Sequence, residues 1–187
     1  MAKQLKATEV KVPCRVSFVH VLEPDKNGSY SCSLLVPKTD TITIEKLNKA
    51  INAAIEEGKT KLGNKEGYVN KKMLKLPLRD ADEEENSQEG YAGMIFFNAK
   101  NKRRKPQVVN RRLDLIFDPD EIYSGCYCNV MIEFYAFSVD GNKGVAASLG
   151  NIQKVRDGER LGYGGRNADA DFDDLGDDEE APEAWNF

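Results

Sequence analysis

Residues 125–155 read GCYCNVMIEFYAFSVDGNKGVAASLGNIQKV, and this stretch decides how the chain is expected to fold. Two strand-like runs flank the turn DGNKG, which is the sequence signature of a β-hairpin. Because side chains alternate between the two faces of a strand, the first run has one almost purely apolar face and one mixed face. The apolar face, which we predict to lie in the core, contains Cys126, Cys128, Val130, Ile132, Phe134 and Ala136.

The mixed face of the hairpin carries three aromatic rings, with polar residues between them: Tyr127, Tyr135 and Phe137 alternate with Asn129 and Glu133. Exposed rings on a sheet can stack against flat ligands such as nucleobases. The same rings can instead pack against a helix or a second layer of sheet. A carboxylate at Glu133 argues against a phosphate path directly across the rings. These residues alone leave both interpretations open.

Length and composition indicate one domain followed by a tail. The chain has 187 residues, which is enough to bury a sizeable core. It contains no run of 18 apolar residues, and its N-terminus lacks the apolar stretch of a signal peptide. We therefore expect a cytoplasmic protein without a membrane partner.

The four cysteines, Cys14, Cys32, Cys126 and Cys128, all fall in strand-like runs. In a reducing compartment such residues are expected to be buried free thiols. A structural zinc site needs four ligands, and the chain has a single histidine, His20, to add to a Cys-x-Cys pair. We therefore predict no metal and no cofactor.

The charge is distributed unevenly along the chain. The net charge is −4, but residues 169–187 contain nine Asp or Glu and no Lys or Arg, so the remaining residues carry a net charge of +5. A basic body joined to an acidic tail points to a polyanionic partner for the body.

Two segments before residue 40 have the alternation of strands. Residues 10–21 predict a half-buried strand with Phe18 on its inner, apolar face. Pro13 requires this strand to lie at an edge of the sheet or to carry a bulge. Residues 30–36 predict a second strand, and a turn rich in Gly, Asn and Asp joins the two.

A helix is expected after the second strand. Apolar residues recur at helical spacing over residues 43–57, and Thr43 is a suitable N-cap. Residues 64–90 are irregular and include a basic run with Lys71 and Lys72, then an acidic stretch that we expect to be exposed.

Aromatic and basic residues occur together in residues 96–112. Phe96 and Phe97 precede seven Lys or Arg, and by alternation one of the two rings must point inward. Several cations are needed to bind a phosphate backbone, and aromatic rings stack against exposed bases. The alternative is a core Phe followed by an ordinary charged turn. The predicted nucleic-acid contacts are Tyr30, Lys71, Lys72, Phe96, Phe97, Lys100, Lys102, Arg103, Arg104, Lys105, Arg111, Arg112, Tyr127, Tyr135 and Phe137.

Catalytic motifs are absent from the sequence. There is no pair of histidines and no GxSxG, and GYGG at residues 162–165 lacks the Lys-Ser/Thr of a phosphate-binding loop. The acidic clusters at residues 80–85 and 118–121 could bind Mg²⁺ as nucleases do, but acids beside turns usually face solvent. We therefore predict a protein that is not an enzyme.

The last residues combine many acids with three aromatic rings, a composition that predicts a disordered tail. Such a tail can serve solubility alone, can mimic nucleic acid for the basic body, or can dock into basic apolar pockets of other proteins. The tail residues that we expect to bind a partner are Asp177, Asp178, Glu179, Glu180, Trp185 and Phe187.

Six motifs follow one another along the body: YSCSLLVPKTD at 30–40, PLRD at 77–80, KPQVV at 105–109, YSGCY at 123–127, GNKG at 141–144 and QKVRDGE at 153–159. In this order they resemble phage-encoded single-stranded DNA-binding proteins of the OB-fold type, a family long described only as a domain of unknown function. The acidic tail with a terminal Phe is similar to that of other replication proteins that bind single strands. In those proteins the tail competes with DNA and recruits polymerase or other replication proteins.

The resemblance implies a mainly β protein. We expect a five-stranded OB barrel with one helix and inserted loops over residues 1–163, and a disordered acidic tail over residues 164–187. The implied function is sequence-independent binding of single-stranded DNA during phage replication or recombination, in the cytoplasm of an infected bacterium. Replication proteins such as polymerase or helicase would bind the tail.

Three questions stay open at this point. A preference for single- over double-stranded DNA does not follow from charge and rings, and a homodimer is possible. An acidic-tailed interaction protein or DNA mimic that binds no DNA is the main rival, and a Mg²⁺-dependent nuclease is the second.

Overall fold

The computed structural model describes residues 4–85 and 88–162. Their strands and helices are, in chain order, β1 (Glu9–His20), β2 (Tyr30–Pro37), α1 (Thr41–Glu57), α2 (Lys59–Leu62), β3 (Arg79–Asp80), β4 (Met94–Asn101), β5 (Val108–Val109), β6 (Tyr127–Val139) and β7 (Asn142–Arg156). No helix within these two ranges is long and apolar enough to cross a membrane. The predicted tail, residues 164–187, lies outside the described residues.

Five of these strands close into a barrel. β1 pairs with β2 and with β6, β2 pairs with β4, and β6 pairs with β7, all antiparallel. A parallel contact between β4 and β7, with Ala99 opposite Ala147, completes the ring. A mainly β, five-stranded barrel with few helices is therefore the fold, as the sequence predicts.

The β6–β7 hairpin forms as its alternation predicts. All six residues of the apolar face are buried, and Phe134 is only 1% exposed. The turn contains two residues, Asp140 and Gly141, with φ of 49° and 79°. Positive φ at both central positions is typical of the type I′ turn, whose twist matches that of the two strands. The most regular part of the sequence therefore makes the longest antiparallel pairing of the barrel.

A bulge interrupts β1 near its C-terminal end. The register with β2 shifts between Ser17 and His20, and Phe18 between them has a φ of +48°. The bulge turns the Phe18 ring to the outer face, so the predicted inner position of Phe18 is wrong. Pro13 lies where β1 pairs only with β6, since the pairing with β2 begins at Arg15. One side of Pro13 is thus an open edge, which suits a residue without an N–H.

Helix α1 begins two residues earlier than predicted. Its N-cap is Asp40 rather than Thr43, because the Asp40 carboxylate accepts a hydrogen bond from the Thr43 N–H at 3.1 Å. The apolar side of α1 packs against β6 and β1. The helix ends at Gly58, where a Cβ would overlap the Ala136 methyl group, so glycine allows the helix end to approach β6.

The segment between α2 and β4, residues 63–93, fills the gap where β4 and β7 separate; we call it the insertion. The backbone of Lys75 bonds to the edge of β7, and β3 pairs with β4. The acids predicted to be exposed are partly paired, because Lys38 Nζ lies 2.5 Å from Asp80 and 2.7 Å from Asp82. The insertion therefore forms a wall beside β4.

Residues 157–162, which we call the strap, cross the outer face of the sheet after β7. Leu161 anchors the strap, since its N–H donates to the Ser124 carbonyl at 2.9 Å and its side chain is 8% exposed. Gly90, with a φ of +81°, leaves room for this side chain, because a Cβ there would overlap it. The cluster around it contains Leu35, Ala81, Tyr91 and Phe96. The strap thus ends beside β2, β4 and the insertion.

Candidate nucleic-acid interface

A cleft of about 610 Å³ lies on the outer face of the barrel. Its floor is formed by β2, β4 and the start of β7, and its walls are the insertion on one side and the β1–β2 loop on the other. We call it the cleft. Its lining includes Phe18, His20, Asp25, Ser33, Arg79, Glu84, Phe96, Asn98 and Lys100.

Phe18 is the exposed aromatic ring of the cleft, and the sequence analysis did not place it there. The β1 bulge presents the ring to solvent, with the residue 49% exposed. A base stacked on such a ring is worth about 1–3 kcal/mol. Strict alternation puts Phe18 inside the barrel. Pro13 allows for a bulge in this strand but does not place it at Phe18, so the exposed ring could not be predicted.

The cleft contains cations on both of its sides. Lys100 is exposed on the floor, and Arg79 lies on the insertion wall with its guanidinium carbon 4.8 Å from the centre of the Phe96 ring. Arg79 is not free, because it donates two hydrogen bonds to Glu84, at 2.8 and 2.7 Å. These bonds hold the pKa of Glu84 below its usual value. Among residues 4–85 and 88–162, Lys100 of the cleft forms no ion pair, whereas Arg79 already binds a carboxylate.

A carboxylate also lies on the opposite wall. Asp25 accepts hydrogen bonds from the backbone N–H of Ser29 and Asn27, at 3.0 and 2.8 Å. The Ser29 hydrogen bond contributes most to lowering the pKa of Asp25, and the charges of His20 and Lys102 act in the same direction.

The basic turn after β4 is held in shape by Asn101. Its side-chain oxygen accepts the N–H groups of Arg103 and Arg104, at 2.9 and 3.1 Å, while its NH₂ donates to the Leu149 carbonyl at 3.1 Å. Lys102, Arg103, Arg104 and Lys105 are all exposed. Within the described residues none of them forms an ion pair.

The predicted cations do not form one surface. Arg104 lines a separate groove on β6 and β7 that also contains Glu133. Arg111 and Arg112 lie in a turn after β5, and Lys71 and Lys72 lie in a 3₁₀ turn of the insertion. These four are exposed but do not line the cleft. Lys100 is the only cation of the predicted set among the cleft residues.

Several predicted stacking rings are not available on the surface. Phe97 is fully buried, with its ring centre 5.8 Å from that of Phe134, so its assignment as a DNA contact is wrong. Tyr30 packs against the core, because it belongs to the inner face of β2. Phe96 is 9% exposed and lies edge-on to Tyr91, with ring centres 5.3 Å apart, and under Arg79. Alternation correctly predicts that only one of the two adjacent Phe rings can face outward.

The three predicted stacking rings on the outer face of β6 differ in how far they are exposed. Tyr135 is 43% exposed and lies opposite Ala146, which lines the cleft. Phe137 is half-buried, near the hairpin turn. The Tyr127 ring is covered, because the guanidinium carbon of Arg156 lies 3.6 Å from its centre and that of Arg15 lies 5.5 Å away. These two cations compete with a base for the Tyr127 ring, and its predicted role as a stacking residue stays a prediction.

The groups with potential metal chemistry do not converge. All four cysteines are buried and free, and burial raises the pKa of Cys32 to about 12 and raises the pKa of Cys128 as well. Within the described residues there is no group of three or more His, Cys, Asp or Glu side chains arranged to hold a metal ion. The acids of the insertion pair with Lys38 and Arg79 instead.

The closed five-stranded barrel, with an outer cleft lined by an exposed aromatic ring and a lysine, defines an OB-type protein. The family described as the ssDNA-binding protein of Enterobacter phage Enc34 matches residues 7–182, and the chain belongs to this family. Protein p50 of Acyrthosiphon pisum secondary endosymbiont phage 1 is 36% identical over 172 residues, which cover 86% of this chain and 90% of that protein.

Solved structures agree with this assignment. The Enc34 ssDNA-binding protein in complex with ssDNA superposes with a TM-score of 0.64 at 27% identity, covering 86% of this chain and 97% of that one. Its C-terminal truncation gives a TM-score of 0.65, also at 27% identity, covering 85% and 95%. The single-stranded DNA-binding protein gp2.5 of bacteriophage T7 has a TM-score of 0.55 at 13% identity, covering 89% and 98%, and shows likeness of fold alone.

Proposed function

We propose that this protein binds single-stranded DNA in the cleft, without catalysis and without regard to sequence. The observation that carries the proposal is that the exposed Phe18 ring and Lys100 line the same cleft, on the outer face of a barrel similar to a protein solved with ssDNA. Single strands expose bases and phosphates together, so a ring and a cation in one cleft suit them.

The floor of the cleft supports recognition that ignores sequence. The Ser33 hydroxyl donates to the Asn98 side-chain oxygen at 2.5 Å, so two polar groups of the floor already satisfy each other. Stacking on Phe18 suits every base, because every base has a π-face. Phosphates would bind Lys100 and, past the end of β4, Lys102, Arg103 and Lys105 of the basic turn. Affinity would then fall steeply with salt, since each neutralised phosphate releases counterions.

The position of the strap supports a regulatory role for the acidic tail. Leu161 packs with Tyr91 and Phe96, and both of these residues line the cleft. The chain therefore leaves the described body at residue 162, next to the proposed DNA site. We propose that the tail acids compete with DNA for the cleft and the basic turn, because a tethered competitor acts at high effective concentration.

The wider setting follows from the phage family. We propose that the protein acts in phage DNA replication or recombination in the cytoplasm of the infected bacterium. A tail displaced by DNA would be free to bind replication proteins such as polymerase or helicase. Double-stranded DNA would bind more weakly, because its bases cannot reach Phe18, and a homodimer is compatible with this scheme.

A fluorescence-polarisation titration tests the proposal. Labelled oligo-dT and a duplex of equal length are titrated with the full chain and with a chain ending at residue 168, at about 50 and about 200 mM salt. We expect tighter binding of oligo-dT than of duplex, tighter binding after truncation, and a large loss of affinity at the higher salt. A protein that binds no oligo-dT in either form would contradict the proposal and favour the DNA-mimic alternative, whereas unchanged affinity after truncation would contradict only the competition by the tail.

A further inference from the structure

Four cations surround two tyrosines on the outer face of the sheet, at the start of β6 and the end of β7. The guanidinium carbons of Arg156 and Arg15 lie 3.6 and 5.5 Å from the centre of the Tyr127 ring. The Tyr123 ring is approached in the same way by Arg160, at 4.2 Å, and by Lys154 Nζ, at 5.5 Å. We call Arg15, Tyr123, Tyr127, Arg156 and Arg160 the platform.

The strap holds the platform in place. The Tyr123 hydroxyl donates to the Gly158 carbonyl at 2.9 Å. Arg15 donates to the carbonyls of Gly125 and Glu159, at 3.1 and 2.5 Å, and so clamps the strap to the start of β6. A Cβ on Gly125 would overlap the Glu159 carbonyl, so the two backbone segments approach closely. The tyrosines therefore orient guanidinium groups rather than offer a stacking surface.

The charges of the platform are only partly neutralised. Lys154 is 2.7 Å from Asp157 and is thereby paired, and this hydrogen bond lowers the pKa of Asp157. Arg160 lies 3.7 Å from Asp120, which is a loose contact. Arg156 is exposed and forms no ion pair within the described residues. A guanidinium held over a ring loses less side-chain freedom when it donates two hydrogen bonds to phosphate oxygens.

The platform continues the face on which the cleft lies. Ser33 on the cleft floor is opposite Ser17 of β1, and Arg15 is two residues further along β1, about 7 Å away. Arg15 is in turn opposite Tyr127 of β6, and Tyr127 is opposite Arg156 of β7. A strand of DNA that leaves the cleft across β1 would therefore reach Arg156.

We propose that the platform is a second phosphate-binding site for the same single strand, used only when the strand is longer than the cleft. This inference rests on the proposed function of the cleft. Its ligand is the sugar–phosphate backbone rather than the bases, because both tyrosine rings are covered by cations. The platform would thus lengthen the site and add to its dependence on salt without adding a stacked base.

The test compares oligo-dT of about 5 and about 15 nucleotides, which span the site sizes of OB domains. We expect Arg156→Ala to leave the short oligonucleotide at wild-type affinity. Binding of the long one should weaken about fivefold, and the slope of log K against log salt should fall by about 0.7, the loss of one single-strand phosphate contact. Charge reversal in Arg156→Glu should enlarge the loss for the long oligonucleotide only.

Lys46→Ala is the matched control, because Lys46 is an exposed cation on α1, outside both the cleft and the platform. Equal losses at both lengths, or the same loss in Lys46→Ala, would contradict the platform and indicate a general charge effect. Wild-type affinity of Arg156→Ala for the long oligonucleotide would also overturn it. Failure of the cleft itself gives a different result, since the short oligonucleotide would then not bind the wild-type protein at all.

Discussion

Phe18 and Tyr127 are both aromatic residues on the outer face of the barrel, but their rings serve different purposes. Phe18 is 49% exposed, and among the described contacts no cation lies over its ring. Tyr127 lies under Arg156 and beside Arg15, and the strap crosses next to it. A ring on a sheet can therefore be a binding surface or a support for cations, and only its neighbours decide between these two roles.

Neighbours that are distant in sequence create this difference. Arg15 is 112 residues from Tyr127 along the chain and reaches it through the pairing of β1 with β6. The strap returns after β7 and brings Gly158 against the Tyr127 ring. No such element covers Phe18 in the part of the chain that the structure describes, because the bulge of β1 carries it to the open side of the cleft. The following substitutions test the contrast.

The largest expected effect is a loss of stability when the strap is displaced. In Gly125→Ala the new Cβ would overlap the Glu159 carbonyl, at a φ of +117° that L residues rarely adopt. We expect the free energy of unfolding to fall by about 3 kcal/mol, measured by urea denaturation. Gly28→Ala is the control, because Gly28 has a φ of +75° but open space around it, and strain alone should cost about 1 kcal/mol. Equal losses in the two variants would show that the strap is not held against β6.

Removing the exposed Phe18 ring should weaken DNA binding and leave the free energy of unfolding almost unchanged. We expect Phe18→Ala to weaken binding of oligo-dT about tenfold, which corresponds to about 1.4 kcal/mol for one stacked base. Unfolding should change by less than about 0.5 kcal/mol, because the side chain is half exposed. Tyr127→Phe keeps the covered ring and should match the wild type in both measurements. Unchanged affinity in Phe18→Ala would contradict the stacking role assigned to the Phe18 ring.

The inner side of the barrel could be predicted from the sequence, because it depends on a local rule. Alternation places Phe134 and its five apolar companions on one face of β6, and they are buried. The same rule states that only one of Phe96 and Phe97 can face outward, and Phe97 is the one in the barrel core. Turn chemistry at Asp140 and Gly141 defines the hairpin in the same local way.

The outer side could be predicted only in part, because it depends on contacts between distant segments. The bulge at Phe18 breaks the alternation that the prediction used, and Tyr127 is covered by residues from β1 and β7. The seven cations of residues 100–112 are adjacent in sequence, but turns direct them to different surfaces. Only Lys100 among them lines the cleft, with Lys102 close enough to influence Asp25. The number of charged residues in a stretch of sequence therefore indicates what kind of partner the chain binds. It does not indicate which of those residues make the contact.

The smallest expected effect on DNA binding involves Arg79, the cleft cation whose position over an aromatic ring resembles that of Arg156. Arg79 lies over the Phe96 ring as Arg156 lies over Tyr127, but its donors are bound to the Glu84 carboxylate. We expect Glu84→Gln to tighten binding of oligo-dT about threefold, because it removes a negative charge from the cleft and leaves Arg79 available to phosphate. The surface pair itself contributes little, so stability should change by less than about 1 kcal/mol.

The pH dependence of the tighter binding by Glu84→Gln tests whether the loss of the carboxylate charge causes it. The Arg79 hydrogen bonds hold the pKa of Glu84 below its ordinary value of 4.5, so the wild-type carboxylate stays charged at every pH above that value. The advantage of Glu84→Gln should therefore persist over that whole range and disappear only in stronger acid, where Glu84 itself becomes neutral. Glu83→Gln, a change at a neighbouring exposed acid that pairs with no cation among the described residues, is the control. A gain of equal size in Glu83→Gln would mean that net charge, rather than release of Arg79, sets the affinity of the cleft.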